Sequence, residues 1–261
     1  MTGVGAEPVP PGRWWGNHVG ETRWILDAAR LKVDPVWRGR GGIPHGDGRA
    51  VVLVPGFGGG DHTLTALAIW LRRIGYRPAV CGFLLNADCS ERALERVERQ
   101  VAAVYDGSGR RVAVIGHSRG GHFARSVAAR RPELVSHAIS LGADLQAMFH
   151  CSAPTLAAVD ATRWVLHRLG RARRPDCVTS RCDCTFTAGF FAPFPEDRVH
   201  MTSIYSKDDG VVRWQAQVVP YADCVEVTGS HVGLIFNRRS YRAIAHALAA
   251  DELGSSITRS A

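Results

Sequence analysis

Residues 116–121 read Gly-His-Ser-Arg-Gly-Gly and separate two segments of different character. Residues 112–115 are apolar and mostly β-branched, which predicts a buried strand. Residues 123–131 predict a helix that ends before Pro132. A strand, a tight Gly-x-Ser-x-Gly turn and a helix form a nucleophile elbow, in which a strained serine projects above a sheet. We therefore predict that Ser118 is a nucleophile; the alternative is a glycine-rich turn with an incidental serine.

Strand-like and helix-like segments alternate along the rest of the chain. This alternation predicts an α/β fold with a mostly parallel sheet and helices on both faces. A capping box at residues 88–91 predicts the start of one of the helices. Strands are also predicted at residues 50–54, 77–81, 138–141, 201–205 and 224–227, and helices at residues 21–31, 64–74, 94–104, 155–169 and 241–248.

The pattern divides the chain into a core and three additions. Residues 46–143 and 200–253 carry the alternation and are assigned to the core, which residues 1–45 precede as an arm and a helix packed on the body. Residues 144–199 interrupt the alternation at a point where an insertion would lie over the strand ends, so we predict a cap or lid there. The alternative is a solvated excursion. The last residues, 254–261, are predicted to be a tail.

Composition limits the class of protein. A chain of 261 residues with 46% hydrophobic and 21% charged residues is typical of a soluble globular protein. The sequence shows neither a secretion signal nor an apolar run long enough to cross a bilayer, so we expect a cytoplasmic protein. The net charge of +8 comes almost wholly from arginine. Because no basic patch interleaved with aromatic residues is present, we expect no nucleic-acid partner.

One group of arginines and the cysteines need separate interpretation. The arginines at 163, 168, 171, 173, 174 and 181 are dense enough to predict a peripheral contact with an anionic membrane. Seven cysteines without a signal predict reduced thiols, with a Cys81–Cys89 disulfide only in an exported protein. The spacing of Cys177, Cys182 and Cys184 does not match structural zinc sites, so we expect no metal and no other cofactor.

A serine nucleophile needs a base and an acid that orients it. His231 lies in a short Gly-Ser-His loop after the strand at 224–227, and is the favoured base among eleven histidines. Asp208 and Asp209 follow the strand at 201–205; Asp209 is favoured because the residues after it would turn its carboxylate inward. Asp144 is a third candidate, for which capping a loop is the stronger interpretation. The chain order Ser118, Asp209, His231 is the order that this architecture uses.

The oxyanion that forms during acyl transfer needs two N–H donors. We predict that they are the backbone N–H groups of Arg119 and Phe57, the latter in the glycine-rich loop at 55–61. That loop lacks the Gly-Lys-Ser/Thr ending of a phosphate-binding loop and the spacing of a dinucleotide fingerprint.

Four segments together resemble the α/β-hydrolase superfamily, especially its lipase/esterase-like bacterial branch: residues 54–57, 116–121, 204–212 and 229–234. The resemblance covers residues 46–250 without most of the 144–199 segment. It implies a serine hydrolase acting on a small-molecule or lipid acyl ester, with Ser118, Asp209 and His231 as catalytic residues and Phe57 and Arg119 as oxyanion donors. A thioesterase or acyltransferase with the same residues, or a non-catalytic scaffold, are the alternatives.

Overall fold

The computed structural model describes residues 9–10, 12–179 and 181–250. The predicted tail at 254–261 and the first residues of the predicted arm lie outside this range. Six strands form one sheet in the order β2-β1-β3-β4-β5-β6, and every neighbouring pair is parallel. The α/β class predicted from the alternation is therefore confirmed. The strands are β1 (Ala50–Val54), β2 (Arg77–Val80), β3 (Val112–His117), β4 (Val135–Leu141), β5 (His200–Tyr205) and β6 (Asp223–Glu226).

Helices connect the strands and cover both faces of the sheet. A cluster of buried apolar residues on one face includes residues of α3, α4 and α6, and a second cluster on the other face includes residues of α2 and α8. The helices are α1 (Trp24–Val33), α2 (Thr65–Arg73), α3 (Ser90–Ser108), α4 (Arg119–Arg130), α5 (Ala153–Arg168), α6 (Thr185–Phe191), α7 (Trp214–Gln217) and α8 (Arg238–Ala249).

The topology explains where a site can form. β1 lies between β2 and β3, so the chain runs outward from β1 to β2 and then returns to β3. At such a reversal the loops after the two central strands diverge and leave a crevice at the carboxyl ends of the strands. The loop after β1 is the glycine-rich one, and the turn after β3 contains Ser118.

Two predicted helix starts differ from the structure. The segment at 20–23 is a 3-10 helix, so α1 begins only at Trp24. The N-cap of α3 is Cys89, and the Glu91 carboxylate does not bond back to the cap as a capping box requires. Glu91 instead accepts hydrogen bonds from the backbone N–H and the hydroxyl of Thr185, both at 3.2 Å. The predicted capping box is therefore wrong, because contacts with the 144–199 segment use its carboxylate.

The 144–199 segment contains α5, as predicted, and α6, which the sequence did not predict. α6 packs on α4 and α3 through Phe186 and Phe190, both buried. The apolar side of α5 is less enclosed than its pattern indicates: Leu166 is buried, whereas Val165 and Leu169 are exposed. These residues border an open groove of about 800 Å³ between α5 and α3.

Ion pairs take up much of the charge of the arginine cluster. Arg171 pairs with Asp88, Arg173 with Glu91 and Glu95, and Arg174 with Asp183. Contact with an anionic membrane stays a prediction.

Within the described residues no helix is both long and apolar enough to span a membrane, and no group of three or more His, Cys, Asp or Glu side chains is arranged to hold a metal ion.

Candidate active site

Ser118 lies at the turn between β3 and α4. Its backbone has φ 52° and ψ −122°, in a region that residues with a side chain rarely adopt. Gly116 and Gly120 make this turn possible. A Cβ on Gly116 would lie 2.0 Å from the carbonyl oxygen of Gly120, and a Cβ on Gly120 would lie 2.1 Å from the carbonyl oxygen of Val54. Only glycine fits at either position, and the Ser118 side chain remains partly exposed at the carboxyl end of the sheet.

Asp209 follows β5 and is only 5% exposed. Its Oδ1 accepts hydrogen bonds of 2.8 Å from the backbone N–H groups of Val211 and Val212. Its Oδ2 accepts a hydrogen bond from the Gln217 amide at 3.0 Å and lies 2.8 Å from Nδ1 of His231. The Asp209 carboxylate therefore holds a proton on Nδ1 of His231, which leaves Nε2 of the ring free to accept another.

The electrostatic surroundings of His231 favour its protonated form. Burial opposes the charged ring, but the attraction of the Asp209 carboxylate, the hydrogen bond to it and the charge of Glu21 together raise the pKa of His231 above its ordinary value. A base with a raised pKa accepts a proton more readily. This arrangement suits proton transfer from a hydroxyl group.

His117 packs against the His231 ring and hydrogen-bonds to the backbone of His231. The two rings lie 4.9 Å apart, and Nε2 of His117 lies 3.0 Å from the backbone carbonyl oxygen of His231. Burial and the neighbouring His231 lower the pKa of His117 to about 3, so the ring is neutral near pH 7. Because a carbonyl oxygen can only accept, His117 carries its proton on Nε2 and donates it there.

The structure separates the three candidate acids. Asp208 is exposed and does not contact His231. Asp144 is buried after β4, where its carboxylate accepts hydrogen bonds from the backbone N–H groups of residues 146, 147 and 150. Its bonding is that of a loop-capping carboxylate. Asp209 is the candidate that the structure brings to His231.

The two candidate oxyanion donors, Phe57 and Arg119, follow neighbouring strands at the carboxyl end of the sheet. Phe57 follows β1, and Arg119 begins α4 directly after Ser118. Neither N–H donates a hydrogen bond within the described part of the chain. The loop of Phe57 is held by Asn86, whose backbone N–H bonds to Gly59 and whose carbonyl accepts from Gly58.

The Arg119 side chain is a further buried cation beside the elbow. Its guanidinium donates hydrogen bonds to the carbonyl oxygens of Asn86 and Asp88, at 3.0 and 2.7 Å, and to the Ser90 hydroxyl at 3.0 Å. Burial lowers the pKa of Arg119 to about 10, which still leaves it charged near pH 7. The side chain thus ties the start of α4 to the segment before α3.

Sequence reasoning missed Glu21. Its Oε1 accepts 3.0 Å hydrogen bonds from the backbone N–H groups of Gly210 and His231, and its Oε2 accepts a 2.9 Å bond from the N–H of Val232. One carboxylate therefore joins the loop of Asp209 to the loop of His231. The only sequence signal was an acidic residue at the start of a predicted helix, and nothing in a single sequence links it to loops so far along the chain.

Two cavities meet at Ser118. The inner cavity, of about 70 Å³, lies between the elbow and the 144–199 segment; Val159 and Phe186 contribute to its wall. The outer cleft, of about 490 Å³, is more open and is lined by Phe57, Ser118 and His231. Among the described residues no hydrogen bond joins the Ser118 hydroxyl to the His231 ring. Catalytic hydrogen bonds are often long in a site without substrate.

Comparison with known proteins agrees with this architecture. No protein-family model and no curated protein matches the chain. Lipase BlEst2 of Bacillus licheniformis, in its mature form, is similar with a TM-score of 0.57 and 17% identity, over 80% of this chain and 95% of the lipase. A monoacylglycerol lipase of Paleococcus ferrophilus gives 0.52 and 15%, over 77% and 95%. Carboxylesterase CesB of Bacillus subtilis gives 0.51 and 13%, over 88% and 99%.

Identities this low inform on the fold and not on the reaction. The parallel sheet, the strand–turn–helix at Ser118 and these likenesses show that the chain has the α/β-hydrolase fold, as its sequence motifs predict.

Proposed function

We propose that the protein is a serine hydrolase that cleaves a carboxylic ester through an acyl-enzyme at Ser118. One observation carries this proposal: a serine in a strained elbow shares a cleft with a histidine whose other ring nitrogen is hydrogen-bonded to a buried carboxylate. A buried Asp–His pair beside a serine hydroxyl is the arrangement that activates a weak nucleophile. The solved structures that share this fold include lipases and a carboxylesterase.

In the proposed reaction, Ser118 Oγ attacks the ester carbonyl carbon while Nε2 of His231 removes the hydroxyl proton. Asp209 keeps the ring oriented and stabilises its positive charge. The N–H groups of Phe57 and Arg119 bind the oxyanion of the tetrahedral intermediate. His231 then gives its proton to the leaving alkoxide, and a water molecule deprotonated by His231 hydrolyses the acyl-enzyme.

The two cavities allow the halves of the ester to be assigned. The leaving alcohol must receive a proton from His231, which lines the outer cleft and not the inner cavity. We therefore assign the acyl group to the inner cavity, and residues 144–199 act as a cap over it. Since the inner cavity, at about 70 Å³, is much smaller than the outer cleft of about 490 Å³, we expect the acyl chain to be short.

Fluorophosphonate labelling and hydrolysis of p-nitrophenyl esters of increasing acyl length test this proposal. The wild type is expected to be labelled and to hydrolyse acetyl and butyryl esters faster than palmitoyl esters. Ser118→Ala is expected to lose labelling and at least about 10³-fold in turnover. The matched control is Ser240→Ala in α8. The Ser240 hydroxyl is buried and has no hydrogen-bond partner among the described residues, so this variant should keep both the labelling and the ester hydrolysis.

Replacing each of the two neighbouring aspartates by asparagine distinguishes Asp209, the proposed catalytic acid, from Asp208, the alternative candidate. Asp209→Asn should lower kcat on the order of 10³- to 10⁴-fold, because the His231 ring loses its orienting acceptor. Asp208→Asn should stay within about twofold of the wild type, as expected for an exposed residue away from the reacting groups. A folded wild type that is neither labelled nor active would instead favour a binding scaffold.

A further inference from the structure

A pair of buried thiols joins the 144–199 segment to the core. Sγ of Cys89 lies 3.0 Å from Sγ of Cys177, and the two residues are 1% and 2% exposed. Cys89 is the N-cap of α3, whereas Cys177 lies in the connection between α5 and α6. The Cys81–Cys89 pairing expected for an exported protein does not match this geometry, because Cys81 Sγ faces the carbonyl oxygen of Leu53.

Contacts on both sides fix the two thiols in place. Arg173, near Cys177, forms a two-pronged ion pair with Glu95 of α3, at 2.5 and 3.1 Å. The Glu91 carboxylate binds Thr185 at the start of α6. A disulfide has an S–S distance of about 2 Å, so a movement of about 1 Å would allow the two sulfurs to bond.

The two sulfurs have different chemical character. The Cys177 thiol donates a hydrogen bond to Cys89 Sγ, and backbone N–H groups of Arg92, Glu91 and Arg173 add to it, so the pKa of Cys89 falls below its ordinary value although burial opposes this. The same hydrogen bond raises the pKa of Cys177. A helix N-terminus and hydrogen-bond donors are the surroundings that make a cysteine reactive.

We propose that Cys89 and Cys177 are a redox-active pair that hydrogen peroxide oxidises reversibly to a disulfide, with Cys89 as the attacking and Cys177 as the resolving cysteine. The Cys89 thiolate attacks one peroxide oxygen, the O–O bond breaks, and a Cys89 sulfenic acid and hydroxide form. Cys177 then attacks the Cys89 sulfur. The S–S bond forms, the S–O bond breaks, and the oxygen leaves as water with the Cys177 proton. Two electrons pass from the sulfurs to the peroxide.

The pair lies next to the candidate active site. Val178, which follows Cys177, and Ser90, which follows Cys89, both line the inner cavity. Ser90 also binds the Arg119 guanidinium. Oxidation would therefore remove a negative charge near Arg119 and connect the proposed cap covalently to α3. The existence of the pair does not depend on the proposed hydrolysis.

Peptide mapping of the full chain tests the proposal. Reduced protein is treated with hydrogen peroxide, free thiols are alkylated, and tryptic peptides are compared with and without dithiothreitol. Trypsin does not cleave between Arg77 and Pro78, so Cys81 and Cys89 stay together in the peptide of residues 74–92. The peptide of residues 174–181 contains a single cysteine, Cys177. The expected product is a cross-link between these two peptides that dithiothreitol reverses and that persists in Cys81→Ala.

Single variants test the direction of attack. In Cys177→Ser, peroxide is expected to leave a Cys89 sulfenic acid that dimedone labels. In Cys89→Ser, Cys177 is expected to remain an unlabelled thiol at the same peroxide concentration. A cross-link that disappears in Cys81→Ala, a bridge between other cysteines in its place, or no oxidation of Cys89 would each overturn the proposal. Equal dimedone labelling of Cys177 in Cys89→Ser would overturn the assigned roles.

Discussion

At the scale of single residues, Glu21 affects the geometry and the pKa of His231 although it lies far from His231 in the sequence. It contacts neither the Ser118 hydroxyl nor the His231 ring, yet its carboxylate accepts hydrogen bonds from the loop of Asp209 and from the loop of His231. Its charge also contributes to the raised pKa of His231. Glu21 is thus a positioning residue with an electrostatic effect, and these two roles can be measured separately.

Glu21→Gln should change both the rate and the pH profile of ester hydrolysis. In the proposed reaction His231 must be neutral to accept the Ser118 proton, so activity should fall as the pH drops through the pKa of His231. Removing the Glu21 charge lowers that pKa, and the acid limb of kcat/KM should move to lower pH. An amide also replaces one acceptor oxygen by a donor, so kcat should fall about ten- to hundredfold.

The control for this change is Glu133→Gln, which loses only an ion pair with Arg131 at the surface. It should alter neither limb of the profile. An unchanged acid limb in Glu21→Gln would contradict the electrostatic role.

The raised pKa of His231 also makes the stability of the folded protein depend on pH. It stabilises the folded protein below the pKa of unfolded histidine, about 6.5, and this contribution is lost as the pH rises through the pKa of His231 in the folded protein.

The sequence carries part of the candidate site. Asp209 and His231 were found because parallel strands bring the residues after them to one edge of a sheet. Glu21 and Asn86 were not, because each acts through hydrogen bonds to the backbone of distant segments. A backbone N–H has no residue type, so such contacts leave no motif in a single sequence.

At the scale of elements, strands and helices differ in how well the sequence predicts them. β1 and β3 are buried along their whole length and are rich in β-branched residues. β4 extends to Val135, beyond its predicted start, because the polar Ser136 and His137 are also buried there. α6 has only seven residues, too few for a periodic pattern, and packing on α4 stabilises it.

Arg125 of α4 connects that helix to the end of α6. Its guanidinium donates to the carbonyl oxygens of Gly189 and Ala192 at 3.1 and 2.8 Å, and to the Tyr221 hydroxyl at 2.9 Å. Arg125→Met should lower the free energy of unfolding by about 2–4 kcal/mol, because these carbonyl groups lose their partner in a buried place. Urea unfolding measures the change.

Two further variants define the cause. Arg125→Lys should restore little of the loss, since one ammonium group does not reproduce the spread of a planar guanidinium. Arg99→Met, an exposed change in α3, should alter the free energy of unfolding by no more than about 0.5 kcal/mol. If the Arg125 and Arg99 variants unfold at the same urea concentration, the carbonyl contacts contribute little to stability.

At the scale of the whole molecule, the alternation of strands and helices was sufficient to predict the fold, whereas the contacts of the 144–199 segment were not predictable. Its arginines, its thiols and the Glu91 carboxylate meet across long sequence separations. Cys89, at the start of α3, and Cys177, in the connection between α5 and α6, are separated by 88 residues.

A disulfide over a span of this length should stabilise the oxidised protein. Closing such a loop restricts the unfolded chain and contributes about 2–4 kcal/mol, or a rise in Tm of about 5–10 °C for a chain of this size. Calorimetry of the peroxide-treated and the reduced wild type measures the shift. Cys177→Ser should show no rise with peroxide. A lower Tm of the cross-linked wild type would mean that the bond distorts the native packing.

The long sequence separation between Glu21 and the loops that it joins has a consequence for synthesis. Its partners Gly210 and Val232 are made 189 and 211 residues later. A growing polypeptide on the ribosome already contains the serine turn when it still lacks the loops that Glu21 joins. The contacts that join the loops of Asp209 and His231 are therefore completed only after residue 232 has been made, and we expect a chain divided before residue 209 to give two fragments that are each inactive in the proposed hydrolysis.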